Sequence, residues 1–326
     1  ISFVLTFITM PFWIRKAKTA GLIWGDMNKP GFPKNVAGSG GVVVVMAFVM
    51  GVLYYIALRT FWIKESNSIN VEIFALLSVV LILCMMGVID DLLGWKHKGL
   101  SRRTRTLLVF GASIPLVVIN AGESVMNFPF LGNVNFGFFY PLVLIPLGVA
   151  GASMTYNSLA GYNGLEAGQG IIILGFLSFV AYITGNAWLS IVGLIMVAAL
   201  AGFLFYNKYP AKVFPGDSLT WTIGSLAAGI AILGNFEKIA AFVFIPYILQ
   251  AGLKIRGKLE KQSFGKPNKD KSLEMPYNKI YGLEHLAIYL LKKIKSNKKV
   301  YEKEVVYLIH GFQIILIIFA YFIFLY

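Results

Sequence analysis

The sequence predicts an all-α polytopic membrane protein with about ten transmembrane helices and an active site on the cytoplasmic face. Of its 326 residues, 57% are hydrophobic and only 13% are charged, whereas a soluble domain carries about 25% charged residues. Long apolar runs alternate with short polar loops, and the basic residues collect in every second loop. The excess apolar surface must face lipid, so we expect a single integral membrane domain over residues 1–326.

The apolar runs approach the roughly 17–25 residues that a helix needs to cross the hydrocarbon core. The run from Gly168 to Tyr206 is too long for one span and breaks near Gly185-Asn186, which gives two spans. The other predicted spans are Ile1–Ile14, Gly40–Trp62, Val71–Ile89, Thr106–Ala121, Phe136–Met154, Leu219–Leu233, Ile239–Ile255 and Val305–Tyr326.

The basic residues fix the predicted orientation. With ten spans, 26 of the 29 Lys and Arg residues fall in the odd-numbered loops, and only Arg59, Lys64 and Lys238 lie elsewhere. Cytoplasmic loops collect Lys and Arg, so the odd loops are predicted to be cytoplasmic and both termini to lie on the other side. An error of one in the helix count would destroy this segregation.

Loop nine, residues 256–302, is the largest segment outside the predicted spans. Leu283, Leu286, Leu290 and Ile294 recur at helical spacing and predict a helix over Tyr281–Ile294, with lysines near its end. A basic amphipathic helix of this kind typically lies on the membrane surface, so we expect a cytoplasmic loop with an interfacial helix.

The remaining composition excludes several classes of site. The single cysteine, Cys84, excludes a disulfide framework and a cysteine-based metal site. The histidines His97, His285 and His310 are too far apart for a metal-binding helix. The net charge of +14 follows the membrane topology, so we expect no nucleic-acid partner. Few ionisable residues lie within the spans, which argues against a transporter.

Polar residues cluster in four odd loops. Carboxylates and amides are the oxygen ligands that Mg²⁺ prefers, and lysines neutralise phosphate oxygens, so the set suits a magnesium-diphosphate substrate. Its members are Asp26, Asn28 and Lys29, then Asp90, Asp91 and Lys98, then Asn157, Asn163, Glu166 and Gln169, and finally Asn207, Lys208 and Asp217.

Each of these features also has a structural interpretation. Asp90-Asp91 could be a solvated helix end, although two adjacent carboxylates repel each other unless a cation offsets their charge. Asp217 could be a helix cap, and the loop NSLAGYNGLEAGQG could be a polar hairpin. For the glycines of Gly38–Gly41 we favour close helix packing over phosphate binding.

Taken together, the loops resemble those of the polyprenyl-phosphate N-acetylhexosamine-1-phosphate transferases. VIDDLLGWKHK resembles the family's Asp-Asp motif with its downstream lysine, and NSLAGYNGLEAGQG and YNKYPAKVFPGDSLTW are similar to the archaeal and eukaryotic branch, which uses UDP-GlcNAc and dolichyl phosphate. WGDMNK and LEMPYNK add weaker matches. The resemblance covers nearly the whole chain, in order.

The resemblance implies roles for the matched residues. Asn157 and Asp217 would bind Mg²⁺, with Mn²⁺ as a substitute; Lys98 would hold phosphate; and Asn163 would contact uracil. Asp90 and Asp91 would organise the metal and the acceptor, one of them as a base. The wider substrate-binding set that we expect is Asp26, Lys29, Asn163, Glu166 and Arg256.

The resemblance also implies the reaction and its setting. A polyprenyl or dolichyl phosphate would attack a UDP-sugar and release UMP, in one step or through a covalent aspartyl intermediate, and we favour one step. This is the first step of lipid-linked oligosaccharide synthesis for N-glycosylation and a target of tunicamycin. We favour an archaeal plasma membrane over the endoplasmic reticulum, and leave a homodimer open.

Two departures and three alternatives accompany the resemblance. The family's His or Arg motif in loop nine is missing here, with Arg256, Lys266 or Lys269 as candidate substitutes, and the segment from Asp91 to Lys98 is shorter than in some relatives. The alternatives are a bacterial-type undecaprenyl-phosphate transferase, a transporter of nucleotide-linked or lipid-linked sugars, and a scaffold without activity.

Overall fold

The computed structural model describes residues 1–64, 69–96, 99–128 and 132–326 and confirms the helical class. The helices are α1 (Ser2–Thr19), α2 (Gly41–Ala57), α3 (Asn70–Lys96), α4 (Arg102–Gly111), α5 (Ile114–Val118), α6 (Ile145–Ser158), α7 (Leu165–Ile183), α8 (Ala187–Asn207), α9 (Asp217–Leu233), α10 (Glu237–Val243), α11 (Ile245–Arg256), α12 (Leu283–Ile294) and α13 (Glu302–Phe324). Two π-helical segments, Leu58–Ile63 and Tyr140–Leu144, extend α2 and precede α6.

Strands form three antiparallel hairpins in the described part of the chain. They pair β1 (Ile23–Gly25) with β2 (Lys34–Ala37), β3 (Val125–Phe128) with β4 (Gly132–Asn135), and β5 (Lys266–Pro267) with β6 (Leu273–Glu274). All three lie between helices, so they shape loops and leave the helical class unchanged.

Five described helices are long and apolar enough to cross a membrane, or six if a bent pair counts as one span. The five are Gly41–Ile63, Asn70–Gly94, Leu165–Ile183, Ala187–Asn207 and Glu302–Phe324. The chain is therefore a polytopic membrane protein, and the count of ten spans stays a prediction. The split of the long run near Gly185-Asn186 is confirmed, since α7 ends at Ile183 and α8 begins at Ala187.

Two of the predicted spans are broken helices. The stretch predicted as Thr106–Ala121 divides into α4 and α5, with Pro115 in the first turn of α5, where its missing N–H costs no hydrogen bond. The stretch predicted as Ile239–Ile255 divides into α10 and α11, which meet at 56°. Pro246 lies in the first turn of α11, so proline chemistry accounts for both breaks.

Helix α9 lies at the centre of the molecule and packs against α2, α3 and α6. Its residues from Ser218 to Ile232 are all buried. Gly87 of α3 allows the closest approach, because a Cβ there would lie 2.6 Å from the carbonyl carbon of Asp217. Gly41 of α2 lies equally close, with a built Cβ 2.6 Å from the Leu219 nitrogen, which confirms helix packing as the role of that glycine.

Loop nine packs on the protein instead of standing apart from it. The predicted helix over Tyr281–Ile294 is confirmed as α12, which buries Leu283, Ala287 and Ile288 and exposes Leu290 and Ile294. Ahead of α12, the backbone N–H of Gly265 donates to Asn28 at 3.1 Å. The loop therefore closes over the end of the bundle that carries the predicted site residues.

Candidate active site

Asp90 and Asp91 lie inside helix α3, which continues to Lys96. The expectation that the pair follows the helix as part of a loop is therefore wrong. Both side chains are buried, with 3% of Asp90 and 9% of Asp91 exposed. The helix can continue past them because each carboxylate finds hydrogen-bond donors from other elements, which offsets the cost of burial.

Asp91 caps the N-terminus of α9. Its carboxylate accepts hydrogen bonds from the backbone N–H of Asp217 at 2.9 Å, from the Ser39 hydroxyl at 2.9 Å and from the Ser218 hydroxyl at 3.3 Å. The first N–H groups of a helix lack partners within the helix and attract negative charge. Asp91 therefore fixes the start of α9 from the neighbouring helix.

Asp90 connects α3 with α4 and with Asp217. One carboxylate oxygen accepts from the Leu100 N–H at 2.6 Å, and the other forms an ion pair with Arg105 at 2.6 Å. The Asp90 and Asp217 carboxyl groups also lie against each other. Two carboxylates in contact repel each other unless a cation or a proton lies between them, so this pair suits a bound cation.

Asn157 lies beside the first turn of α9. The Thr220 hydroxyl, one turn after Asp217, donates to the Asn157 side-chain oxygen at 2.9 Å. Asn157 and Asp217 are both half-buried, so a ligand can reach them. The described residues contain no group of three or more His, Cys, Asp or Glu side chains able to hold a metal.

These oxygens nevertheless fit a magnesium ion. Mg²⁺ typically binds through one or two protein carboxylates and completes its shell with water and substrate phosphates. Asp217 supplies a reachable carboxylate, Asn157 an amide oxygen, and Asp90 a second carboxylate in contact with the first.

A second cluster surrounds Asn163. Its side-chain oxygen accepts from Lys29 at 3.1 Å and from the Ala211 N–H at 2.6 Å, while its amide nitrogen donates to Asp26 at 3.2 Å. Lys29 also pairs with Asp26 and lies 4.8 Å from the centre of the Tyr209 ring. The predicted substrate-binding residues Asp26, Lys29 and Asn163 are thus brought together and hold one another in place.

Two glutamates accept hydrogen bonds from the backbone of the loop that carries Asn163. Glu302, at the start of α13, accepts from the Asn163 N–H at 2.8 Å. Glu166 accepts from the Gly161 N–H at 2.7 Å and is 4% exposed. Glu166 therefore shapes the loop around Asn163, and its predicted contact with substrate stays a prediction.

One segment joins the two clusters. Residues 211–217 run from Ala211, which bonds Asn163, to Asp217, which is held by Asp91. Between them, Val213 pairs with Ala37 and the Phe214 carbonyl accepts from the Gly40 N–H at 2.9 Å. A short, hydrogen-bonded segment therefore sets the separation between the amide cluster and the carboxylates.

Two predicted residues do not join these clusters. Arg256 is exposed at the end of α11 and forms no hydrogen bond or ion pair with another predicted site residue across the described ranges. Lys98 lies outside the described residues. The loop-nine histidine, His285, does not supply a cation, because burial, together with the Lys254 ammonium, lowers the pKa of His285 to about 4.

Sequence reasoning missed three residues of the site. Ser39 donates to Asp91, Arg105 pairs with Asp90, and Glu302 holds the backbone of Asn163. Arg105 was visible only as one of several basic residues, and Ser39 only as part of a glycine-rich turn. Glu302 carries no local signal, because its partner is 139 residues away.

An apolar groove runs along α6, α10, α11 and the C-terminal part of α9. Its volume is about 470 Å³. Thr155, one of its lining residues, is two positions from Asn157 on α6. The apolar lining includes Phe136, Leu144, Ile145, Ala152, Phe244 and Ile248. The groove can hold a hydrocarbon chain along the helix that carries Asn157.

The chain is similar to a known protein family and to proteins from all three domains of life. The family described as glycosyl transferase family 4 matches residues 73–235. A protein of Saccharolobus solfataricus with the provisional name UDP-N-acetylglucosamine–dolichyl-phosphate N-acetylglucosaminephosphotransferase is 35% identical over 82% of this chain and 79% of its own length. A Dictyostelium discoideum protein has the same name, in its case not a provisional one. It is 28% identical over 76% of this chain and 68% of its own length.

A bacterial protein is also similar over most of the chain. It comes from Bacillus subtilis, has the provisional name undecaprenyl-phosphate N-acetylglucosaminyl 1-phosphate transferase, and is 28% identical over 91% of this chain and 81% of its own length.

Proposed function

This chain belongs to glycosyl transferase family 4, and we propose that it transfers N-acetylglucosamine 1-phosphate from UDP-GlcNAc to dolichyl phosphate and releases UMP. The product would be the first lipid-linked intermediate of N-glycosylation. The provisional name of the archaeal relative and the name of the eukaryotic one support the donor and the acceptor. The same membership favours a glycosyl-1-phosphate transferase over a transporter or an inactive scaffold.

One observation carries the proposal: a polar, carboxylate-bearing site and an apolar groove share helices α6 and α9. Asp90 of α3 lies beside Asp217 at the start of α9, and Asn157 near the end of α6 bonds Thr220 in the same turn. The groove of about 470 Å³ runs along α6 from Ile145 to Thr155. A polyprenyl phosphate has this same division, with a charged head and a long apolar tail. A soluble acceptor would have no use for the groove.

The reaction is a displacement at phosphorus. An oxygen of the lipid phosphate bonds to the sugar-linked phosphorus, the bond from that phosphorus to the bridging oxygen breaks, and UMP leaves with the electron pair. A lipid phosphate is largely ionised at neutral pH, so the residues mainly position the two reactants and neutralise charge. Asn163 and its partners Asp26 and Lys29 would orient the nucleotide.

Asp217, Asn157 and Asp90 would hold Mg²⁺, with Mn²⁺ as a substitute. The ion would neutralise diphosphate oxygens and stabilise the leaving UMP. Arg105 keeps Asp90 in place, and Thr220 keeps Asn157 in place. Arg105 and Thr220 would therefore orient the two metal ligands without binding the metal themselves, as outer partners of metal sites commonly do.

The hydrogen bonding of the Asp pair favours a single-step transfer. Asp91 accepts from two serine hydroxyls and a backbone N–H, and Asp90 accepts from a backbone N–H and Arg105. A carboxylate surrounded by donors is a poor nucleophile, which argues against an aspartyl intermediate. Of the two, Asp90 contacts Asp217 and is the better candidate to act on the acceptor. Ping-pong kinetics would contradict the single step.

The distribution of basic residues and the similar proteins indicate the side of the membrane and the kind of membrane. Because Lys and Arg collect in the odd loops, we place the active site on the cytoplasmic side. Similarity to the archaeal protein supports an archaeal plasma membrane. The outer face of α12, with Leu290, Ile294 and Lys293, would rest on that membrane. A homodimer remains compatible with these features.

The test is UMP release from UDP-GlcNAc by the purified protein in detergent. We expect release to require both dolichyl phosphate and Mg²⁺, to resume with Mn²⁺ after chelation, and to stop with tunicamycin. Undecaprenyl phosphate in place of dolichyl phosphate tests the bacterial-type acceptor. Absence of release across a panel of UDP-sugars and polyprenyl phosphates would overturn the proposal.

A further inference from the structure

Helix α11 holds both neighbours of Asn157. Tyr156, on one side, stacks against Tyr247 of α11, with ring centres 4.9 Å apart and planes 13° from parallel. Ser158, on the other side, is the last residue of α6, and its carbonyl accepts a hydrogen bond from the Gln250 side chain at 2.8 Å. Tyr247 and Gln250 are three residues apart, so they lie on one face of α11.

The carbonyl of Ser158 would otherwise lack a partner within its helix. The last four carbonyls of an α-helix have no N–H donor within the helix and need donors from outside it. Gln250 supplies that donor from a fully buried position, at 0% exposure. The end of α6, where Asn157 projects towards Thr220, is therefore fixed by a side chain of another helix.

Gln250 is itself held on every side. Its amide nitrogen also donates to both oxygens of Glu284, at 3.1 and 3.0 Å, and its oxygen accepts from the Leu283 N–H at 2.7 Å. Glu284 and Leu283 form the first turn of α12. A glutamine whose oxygen and nitrogen are both engaged cannot rotate without breaking several bonds, so its donor is fixed towards Ser158.

We propose that Gln250, held against the first turn of α12, is a positioning residue for Asn157. This inference rests on the proposed function, because it takes Asn157 to be a metal ligand. Gln250 touches neither substrate nor metal. It acts by setting where the Asn157 oxygen points.

Two variants test the bond to Ser158. Glu284→Leu removes the carboxylate and leaves the Gln250 donor to Ser158 intact. Gln250→Leu combined with Glu284→Leu removes that donor as well, together with the acceptor of the Leu283 N–H. It leaves no buried carboxylate unpaired, which is the costly alternative. The two variants have the same charge and differ only at Gln250.

The readout is binding of Mn²⁺, followed by electron paramagnetic resonance in detergent with UDP present and no lipid acceptor. We expect Glu284→Leu to bind Mn²⁺ like the wild type and the double variant to bind about tenfold more weakly, the lower end of the range for outer partners of metal ligands. Equal binding by the double variant and the wild type would overturn the proposal. An equal loss in both variants would also overturn it, because α12 docking alone would then be responsible.

If the double variant does not fold, which thermal unfolding would reveal, a third variant tests the same bond. Gln250→Glu with Glu284→Gln exchanges the two groups and keeps the net charge, the hydrogen bond between them and an acceptor for the Leu283 N–H. An ionised carboxylate cannot donate to Ser158, so only that bond is lost. We expect the same weakening, and wild-type affinity here would refute the role of Gln250. If the wild type itself binds no Mn²⁺, the metal site of the proposed function fails, and this inference fails with it.

Discussion

Asp217 stands out among the acidic residues because it is only half-buried, contacts the Asp90 carboxyl and lies one turn before Thr220, the partner of Asn157. Asp217→Asn keeps the size of the side chain but removes its charge. We expect kcat to fall by a factor of about 10² to 10³, the usual cost of removing one preorganised electrostatic group. UMP release measures the loss, and unchanged thermal unfolding is the control. Full activity would remove Asp217 from the metal site.

Asp91 should respond differently, because it accepts hydrogen bonds from the start of α9. Asp91→Asn keeps an oxygen that can accept from the Asp217 N–H, whereas Asp91→Ala leaves that N–H without a side-chain partner. We expect Asp91→Ala to lower the free energy of unfolding by about 1–2 kcal/mol, the usual cost of losing a helix cap, and Asp91→Asn to lose less. Thermal unfolding in detergent gives the comparison.

Activity provides the second half of the Asp91 comparison. If Asp91 acts mainly through α9, Asp91→Asn should retain far more UMP release than Asp217→Asn. If instead Asp91→Asn is fully stable and as inactive as Asp217→Asn, then Asp91 acts on the substrate directly.

At the residue scale, the sequence predicted several residues of the site but not the distant residues that hold them in place. Asp26, Lys29 and Asn163 were expected at one site, and they do form one hydrogen-bonded cluster. Their motifs are short and local, which makes them visible. Glu302 and Ser39 were not visible, because each acts on a residue that is distant in sequence, Asn163 and Asp91 respectively.

At the scale of elements, the contact between α3 and α9 brings the carboxylates together. Gly87 lies at that contact, with a built Cβ 2.6 Å from the Asp217 carbonyl carbon. Gly87→Ala should force the two helices apart and lower the free energy of unfolding by about 1–3 kcal/mol, the usual cost of overpacking. Asp90 and Asp217 would separate, so UMP release should fall as well.

Gly175→Ala is the matched control for that prediction. Gly175 lies in the middle of helix α7, and a Cβ there would meet nothing within 4 Å. Alanine has a higher helix propensity than glycine, so this variant should be at least as stable as the wild type and fully active. Equal behaviour of Gly87→Ala and Gly175→Ala would show that the α3–α9 contact can relax without disturbing the site.

Element boundaries were predictable where apolar periodicity ends at a polar residue, as at the C-terminal end of α12 and between α7 and α8. They were not predictable where tertiary bonds extend a helix. Helix α3 continues beyond Ile89 because Asp90 and Asp91 find donors on α4 and α9. The bend of 56° between α10 and α11 likewise depends on packing, although Pro246 marks its position.

At the scale of the molecule, the number of spans depends on α9. With 17 residues, this helix is about 25 Å long at 1.5 Å per residue, shorter than a hydrocarbon core of about 30 Å. A lipid-facing helix of that length would expose polar ends to the core. Because α9 is buried among α2, α3 and α6, its ends meet protein instead, and a short helix can still cross the bundle.

A pair of single cysteines decides whether α9 crosses. Thr184 follows α7, and Lys269 lies in the β5–β6 hairpin; both are exposed. If α8, α9 and the bent α10–α11 pair all cross, three spans separate these positions and they lie on opposite sides. If α9 does not cross, only two spans separate them, and they lie on the same side. In the ten-span topology, Thr184 is outside the cytoplasm and Lys269 is within it.

The measurement uses a background in which the buried Cys84 is replaced by alanine, with Thr184→Cys or Lys269→Cys added. We expect a membrane-impermeant maleimide to label Thr184→Cys in intact cells and Lys269→Cys only after permeabilisation, since hairpin β5–β6 lies in the lysine-rich loop that should remain cytoplasmic. UMP release by each variant controls for folding. Labelling of both positions from the same side would exclude a crossing by α9, and the assignment of the odd loops to one face would then be wrong.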